Sequence, residues 1–313
     1  MIAGITIRNF KGVKDLALDF ARFNWIERES GWGKTSVFDA LKLLHMIACG
    51  AEATVARFSW WGVSAPTTIT IRIADEQYSN LMYSIDVIQE GIFTRVLHEA
   101  VICDGRQTLI RDGAQYRYVD SRPFPIRNTQ FALPQILATP IWQEAYTLRQ
   151  TLQTLWLLSP SPDSMVSGVG NQLPFVDTQC SALAQYIVNR QREQPMFYGL
   201  LIAYLRELGL DVVALNVQND NFGMPYLCYR KDSFAFERFL PFEQLSHTEK
   251  IKFLLGLIRA VNDHIHPITC VWDNPLNWLG DADARSLFSM MRRSFSTRGQ
   301  GIFLSPIRLI TGG

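Results

Sequence analysis

A short glycine-containing segment near the start of the chain, ERESGWGKTS (Glu27–Ser36), constrains the fold more than any other feature of the sequence. It follows RFNWI, which reads as a buried strand, and it precedes SVFDALKLLHMIA, whose apolar residues recur at helical spacing. A strand that passes through a glycine-containing turn into a helix is the usual setting of a phosphate-binding loop. The sequence therefore predicts an α/β fold built around such a loop.

The loop contains the groups that bind a phosphate. Backbone N–H groups at a helix N-terminus point at the anion, and the helix dipole favours negative charge there. The pattern predicts that Lys34 reaches the β- and γ-phosphates and that the Thr35 hydroxyl binds Mg²⁺. The expected nucleotide-binding residues are Ser30, Gly31, Gly33, Lys34, Thr35 and Ser36.

Arg28 departs from the pattern GxxxxGK[ST], in which this position is a glycine. If the position requires a positive φ angle, a side chain there costs about 1–2 kcal/mol. Arg28 and Trp32 are the loop residues that favour the alternative of a scaffold that no longer binds nucleotide.

Periodicity predicts the arrangement of the remaining elements. Alternating apolar residues predict two strands before the loop and an antiparallel, strand-rich segment from 67 to 119. Residues 120–180 are rich in Pro, Ser and Gly, which predicts loops and one or two helices. Two helices broken at Pro195, a strand DVVALNV and a helix beginning near Ser246 are expected next, followed by the strand ITCVW, a basic helix and the strand GIFLS.

Composition narrows the class of protein. The net charge is +1 and 48% of residues are hydrophobic, so a sizeable core is expected and any nucleic-acid contact needs a local basic patch. The five cysteines form no CxxC pair, which excludes a zinc knuckle and predicts reduced, buried thiols. No signal peptide is apparent, and no apolar stretch approaches the ~20 residues of a membrane span. We expect a cytoplasmic protein.

The opening NFKGVKDLALDFARFNWIERESGWGKTSVFDALKLL resembles that of predicted ABC-type ATPases of the AAA group related to SMC, RecF and the OLD nucleases. The resemblance implies one ABC-type head over residues 1–313. Its nucleotide-binding core would comprise 1–50 and 240–313, its antiparallel β-lobe 51–120, and its helical or insertion lobe 121–239. ATP and Mg²⁺ are the cofactors that the family implies.

The segment LSHTEK (Leu245–Lys250) resembles the ABC signature, usually LSGGEK. In the family, the signature serine and glycine amides bind the γ-phosphate of a nucleotide held by a partner subunit. Ser246 matches this serine, whereas His247 and Thr248 replace both glycines. Bulkier residues obstruct close backbone approach, and His247 is expected to be an exposed residue at the helix cap.

The segment ITCVWDNPLNWLG resembles the Walker B strand and the residues that follow it. Asp273 matches the carboxylate that supports Mg²⁺, together with Thr35, and Asn274 stands where the family has its catalytic glutamate. A general base contributes typically ~10²–10⁴ in rate, and an amide cannot accept the proton. In QGIFLSPIRLI, Ser305 fits the threonine position and Pro306 replaces the family's switch histidine.

The resemblance therefore implies an ATP-binding subunit with weak or absent hydrolysis. Such a subunit would regulate a nucleic-acid-processing or anti-phage defence complex through nucleotide-dependent association. The expected partners are a homologous or effector protein, a nuclease for example, in a dimer or larger complex, and DNA or RNA. No nuclease domain follows the head, so a separate effector is expected, and no membrane contact is predicted.

Two other functions stay open from the sequence. One is an active ATPase whose base is a neighbouring carboxylate such as Asp281 or Asp283. The other is a scaffold that no longer binds nucleotide. Separately, the helix RSLFSMMRRSF carries Arg285, Arg292 and Arg293, which predicts either a nucleic-acid contact or a solvated helix face.

Overall fold

A computed structural model describes residues 1–29, 31–52, 65–90, 93–119, 121–139, 142–168, 176–233 and 238–305. The chain divides into two compact units, Met1–Leu155 and Trp156–Gly313. Among the described residues, no helix is both long and apolar enough to cross a membrane.

The first unit is built on an eight-stranded antiparallel sheet with the order β2-β1-β4-β5-β6-β7-β8-β9. Its strands are β1 (Ile2–Phe10), β2 (Val13–Asp19), β4 (Thr67–Ile73), β5 (Leu81–Glu90), β6 (Phe93–Cys103), β7 (Arg106–Asp112), β8 (Gln115–Tyr118) and β9 (Phe124–Pro125). Successive side chains of a strand point to opposite faces. In β4 the isoleucines are buried, whereas Thr68 and Thr70 bond Asp86 and Ser84 of the neighbouring strand.

The same unit holds β3 (Phe23–Glu27), α1 (Lys34–Ala48) and α2 (Gln143–Gln153). The apolar stripe of α1 is buried, and α1 packs against β1 and α2. Polar contacts reinforce this packing: His45 Nδ1 lies 2.9 Å from the carbonyl oxygen of Leu152.

A buried carboxylate organises the connection after β9. Glu99 accepts hydrogen bonds from the amides of Ala132 (2.6 Å) and Leu133 (2.8 Å) and from the Tyr83 hydroxyl (2.7 Å). Glu99 thereby caps the 3₁₀ turn Leu133–Gln135 from inside the sheet. Burial raises the pKa of Glu99, and the hydrogen bonds and the charge of Arg111 act in the opposite direction.

The second unit combines helices with short sheets. Its helices are α3 (Leu183–Glu193), α4 (Phe197–Glu207), α5 (His247–Ala260) and α6 (Asp281–Thr297). Strands β11 (Val212–Asn219), β12 (Pro225–Lys231) and β13 (Leu240–Pro241) form an antiparallel sheet. Strands β14 (Thr269–Asp273) and β15 (Gln300–Ser305) run parallel, with Asp273 opposite Leu304, and β14 also neighbours β10 (Leu155–Leu158).

Most predicted elements are confirmed. The strands before the loop, the antiparallel segment 67–119 and the two helices broken at Pro195 are all present. The region 120–180 contains α2 as expected, but it also contains β10, and β12 was not predicted. The division into core, β-lobe and helical lobe stays a prediction.

The expectation of buried thiols is wrong at one position. Cys103, Cys180, Cys228 and Cys270 are buried, whereas Cys49 is exposed. Cys49 follows the last residue of α1, where the helix ends at the surface. The apolar periodicity of α1 did not predict that Cys49 is exposed, because Cys49 lies outside the repeating apolar face of that helix.

Candidate nucleotide-binding site

The predicted phosphate-binding loop joins β3 to α1 and turns at two glycines. Gly31 has φ 89° and Gly33 has φ 104°, both in the left-handed region that favours glycine. A Cβ atom on Gly33 would lie 2.6 Å from Cγ2 of Val13, whereas a Cβ atom on Gly31 would have no neighbour within 4 Å. Gly33 is therefore required both by its backbone angle and by its packing.

Arg28 fits the loop without backbone strain. It is not among the residues with positive φ, so the cost of a missing glycine does not arise. Its side chain is exposed, and its guanidinium carbon lies 5.5 Å from the centroid of the Trp32 ring. A contact of this kind at an exposed site contributes about 0.5–1 kcal/mol.

Lys34 is turned back onto the loop. The side chain is 7% exposed, and its ammonium donates to the carbonyl oxygens of Glu29 (2.7 Å) and Arg28. These two bonds hold a positive charge inside the curve of the loop. An isolated buried ammonium would be costly, and the carbonyl oxygens offset that cost.

The N-terminus of α1 presents backbone donors. No side chain caps the helix at Gly33, and its first turn contains no acidic residue in the part of the chain that the structure describes. The first amides of a helix have no partner within the helix, and the dipole makes this end positive. Together with Lys34, the helix end forms a cradle for an anion.

The remaining predicted loop residues differ in accessibility. Thr35 is exposed and Ser36 is buried, so the Thr35 hydroxyl is the more accessible to a metal ion. Ser30 lies outside the described residues.

The β1–β2 hairpin supports the loop from behind, which the motif alone did not predict. Lys11, at the hairpin turn with φ 49°, pairs with Asp39 of α1, and Val13 borders Gly33. Lys11 is part of NFK, but nothing in that spacing indicates a pairing 28 residues away.

Asp273 and Asn274, the residues predicted from the Walker B resemblance, lie in the second unit at the end of β14. Asp273 is the last residue of the strand and is 7% exposed. Asn274 follows with φ 56°, and its amide donates to the carbonyl oxygen of Leu304 at 2.9 Å. Asn and Asp adopt this left-handed conformation more readily than Glu. The backbone at Asn274 therefore disfavours the family's glutamate.

Ser246 is the N-cap of α5. Its hydroxyl accepts from the Glu249 amide at 3.3 Å, and the Glu249 carboxylate accepts from the Ser246 amide at 2.9 Å. This is a complete capping box, which satisfies two of the helix's free donors. The expected start of the helix is confirmed.

The charge of Glu249 is held by its partners. The Lys231 ammonium lies 2.5 Å from the Glu249 carboxylate. Burial alone would raise the pKa of Glu249, but the hydrogen bonds from Lys231 and Ser246 outweigh burial and lower it. The carboxylate therefore stays ionised at the start of α5.

His247 is the first residue of α5 and not its cap, which corrects the expected role. Its Nε2 atom lies 2.8 Å from the Asp163 carboxylate, and its ring meets the Trp278 ring edge-on at 5.1 Å. Trp278 has φ 74° and is 45% exposed, and its carbonyl oxygen accepts from the Thr248 hydroxyl at 2.8 Å. Both residues that replace the signature glycines are thus engaged within this unit.

Ser305 ends β15 and is fully buried, and Pro306 lies outside the described residues.

Among the residues that are described, no group of three or more His, Cys, Asp or Glu side chains is arranged to hold a metal ion.

Comparison with known proteins identifies the fold. No family model and no curated protein matches the chain. An SMC head bound to the C-terminal winged-helix domain of ScpA matches with a TM-score of 0.61 at 13% identity, covering 99% of this chain and 91% of that chain. An SMC head with an extended coiled coil, bound to the C-terminal domain of ScpA derived from Pyrococcus furiosus, matches with a TM-score of 0.56 at 11% identity, covering 99% and 90%. The chain has the fold of the SMC head domains, that is, of an ABC-type P-loop ATPase head.

Proposed function

We propose that the chain is an ATP-binding, SMC-like subunit with weak or absent hydrolysis. The observation that carries this proposal is the uncapped N-terminus of α1, where the Lys34 ammonium lies against the carbonyl oxygens of Arg28 and Glu29. A triphosphate is the anion for which such a loop has enough donors.

The residues fit Mg-ATP. The first turn of α1 carries no acid to repel phosphate, and Thr35 is exposed. In this proposal the ammonium of Lys34 binds phosphate and the Thr35 hydroxyl binds the ion; the family resemblance also assigns the ion to Asp273. Bound Mg²⁺ would neutralise phosphate charge.

Two features of the second unit favour slow turnover. Asn274 offers an amide, which can orient water but cannot take its proton. Of the two carboxylates named as alternative bases, Asp283 is paired with Lys252 at 2.8 Å. That ion pair already engages the Asp283 carboxylate within the unit.

We further propose that bound nucleotide controls association with a homologous or effector subunit, such as a nuclease. The two matched SMC heads were each solved with a domain of ScpA, which supports a protein partner for this fold. The wider context, a nucleic-acid-processing or anti-phage defence complex of dimeric or larger size, rests on the family resemblance.

A thermal shift with Mg-ATP tests nucleotide binding. A ligand that binds only the folded state stabilises it by about 2.7 kcal/mol at 100 times its Kd. We expect a clear rise in melting temperature for the wild type and none for Lys34→Ala. Lys42→Ala removes the same charge from the same helix and should keep the rise.

The scaffold alternative is favoured by the stacking of Arg28 on Trp32 in the loop. It predicts no shift for the wild type at millimolar Mg-ATP. That result would refute nucleotide binding through this loop.

A further inference from the structure

The last helix, α6, has one packed face and one solvated face. Ala284, Leu287, Met291 and Phe295 are buried against the rest of the unit. The opposite side is exposed, and from Arg285 to Ser296 every exposed side chain is basic or carries a hydroxyl. We call this set the Arg/Ser face: Arg285, Ser286, Ser289, Arg292, Arg293 and Ser296.

Positive charge is concentrated in this part of the chain. From Ala284 to Gly313 the sequence contains five arginines and no Asp, Glu or Lys. The whole protein carries 30 basic and 29 acidic residues, so the imbalance is local. A local excess of one charge is the electrostatic signature of a surface that meets a polyanion.

The three arginines of the Arg/Ser face are not used inside the protein. Among the described residues, none of Arg285, Arg292 and Arg293 makes a side-chain hydrogen bond or an ion pair. Arg298, just beyond the helix, differs because it donates to the carbonyl oxygen of Asp263 at 2.8 Å. Asp281 precedes Arg285 by one turn, yet no ion pair joins the two in the described part of the chain.

Helix stability does not account for these arginines either. A cation stabilises the helix dipole only in the last turn, and the last turn of α6 has no basic residue. Four residues after Arg285 and Arg292 come Ser289 and Ser296, which cannot form ion pairs with them. The adjacent positive charges of Arg292 and Arg293 repel each other until an anion is present.

The chemistry of the face selects a phosphate backbone. Guanidinium groups bind phosphate oxygens through two parallel hydrogen bonds, and Ser hydroxyls also donate to phosphates. Arg285 and Arg292 are seven residues apart, or about 10.5 Å along the helix axis, which suits a repeating polyanion better than a single small anion. None of the exposed residues of the face is aromatic, and the neighbouring Phe288 is half-buried, so an exposed ring on which an unpaired base could stack is missing from it.

We propose that the Arg/Ser face of α6 binds the phosphate backbone of a duplex nucleic acid without reading its bases. This inference rests on the nucleic-acid context of the proposed function and gives it a surface. It does not depend on nucleotide binding by the loop.

Fluorescence anisotropy with a labelled 24-base-pair duplex tests the proposal on the full chain. The slope of log K against log salt steepens by about 0.9 for each phosphate that the protein neutralises. We expect the triple variant Arg285→Ala/Arg292→Ala/Arg293→Ala to lower this slope by about 2–3. The corresponding triple Lys variant keeps the charges and should keep most of the slope. A DNA duplex and an RNA duplex run in parallel distinguish the two sources of the same backbone.

A matched control removes three exposed arginines of the first unit, as Arg106→Ala/Arg117→Ala/Arg122→Ala. The control changes the net charge equally and should leave the slope nearly unchanged. An equal decrease in both triple variants would mean that general electrostatics, and not α6, drives binding. An unchanged salt slope in the α6 triple variant would overturn the proposal. The proposal would also fail if polyglutamate of equal charge bound the wild type as tightly as the duplex does and lost the same amount of salt slope in the α6 triple variant, because that result indicates a site for an acidic protein.

The Mg-ATP thermal shift and the duplex binding assay together separate this proposal from the proposed function. Lys34→Ala should lose the thermal shift and keep the salt slope of duplex binding. If ATP binds and the α6 proposal is wrong, the wild type shows the Mg-ATP shift, and the α6 triple variant binds the duplex as the wild type does. If the α6 proposal holds and ATP binding is wrong, the duplex results stand and no shift is seen. Circular dichroism of each variant checks that its overall secondary structure matches that of the wild type.

Discussion

Gly33 and Val13 lie where the predicted phosphate-binding loop meets the β1–β2 hairpin. Because Gly33 has φ 104° and its Cβ would meet Val13, Gly33→Ala should cost about 1–2 kcal/mol for the left-handed backbone plus a packing penalty. Gly31→Ala should cost the backbone contribution alone, since open space surrounds that position. Urea unfolding of both variants measures the difference.

Val13→Ala provides the control for this difference. In a double-mutant cycle the smaller side chain should recover part of the stability that Gly33→Ala removes, and none of what Gly31→Ala removes. Equal costs at the two glycines, with no coupling to Val13, would contradict the contact.

At Asn274, likewise a single residue, one backbone angle limits which residue can follow Asp273. With φ 56°, Asn274→Glu should lower the free energy of unfolding by about 1–2 kcal/mol. Asn274→Asp should cost much less, since Asp tolerates this conformation. Chemical denaturation compares the two carboxylates, and a Glu variant as stable as the wild type would argue against the constraint.

At the scale of the element, the start of α5 is stabilised by a reciprocal pair of hydrogen bonds. Ser246→Ala should lower the free energy of unfolding by about 1 kcal/mol, as is typical when an N-cap is removed. Adding Glu249→Gln to Ser246→Ala should cost less than the sum of the two changes, because both residues share the capping box. Strict additivity in urea unfolding would show that the two bonds act separately.

Glu249 also makes the stability of α5 depend on pH. Its folded-state pKa is lowered, so its contribution is fully present above the unfolded value of about 4.3 and is lost as pH falls through the folded pKa. The stability difference between wild type and Glu249→Gln should therefore shrink on acidification from about pH 6 to about pH 3. A difference that grows towards low pH would contradict the lowered pKa.

At the scale of the whole molecule, the question is whether the ATP that we propose to bind is also hydrolysed. We expect steady-state phosphate release from the wild type to be slower than that of a head with a glutamate base by about 10²–10⁴. The comparison protein is an SMC head assayed in the same conditions. Ready turnover that Lys34→Ala abolishes would establish the active-ATPase alternative, and Asp281→Asn and Asp283→Asn would then identify its base.

Much of the architecture could be predicted from periodicity and turn chemistry. The strand–loop–helix order around Lys34, the break at Pro195 and the start of a helix near Ser246 all follow from local rules, since each depends on residues within a few positions. The strand β12 escaped prediction because it begins at a proline and has no clean alternation. The contacts of Lys11 with Asp39 and of His247 with Asp163 escaped because no local pattern encodes a pairing across 28 or 84 residues.

The sequence by itself determined the type of most elements and the position of the glycine-containing loop before α1, because propensity, apolar period and glycine placement act over short distances. Only the tertiary structure decided that Arg28 is unstrained, that Asn274 occupies a left-handed conformation, and that Lys34 folds back onto the loop. Backbone angles and buried hydrogen bonds are set by what packs around them, and those neighbours come from distant parts of the chain.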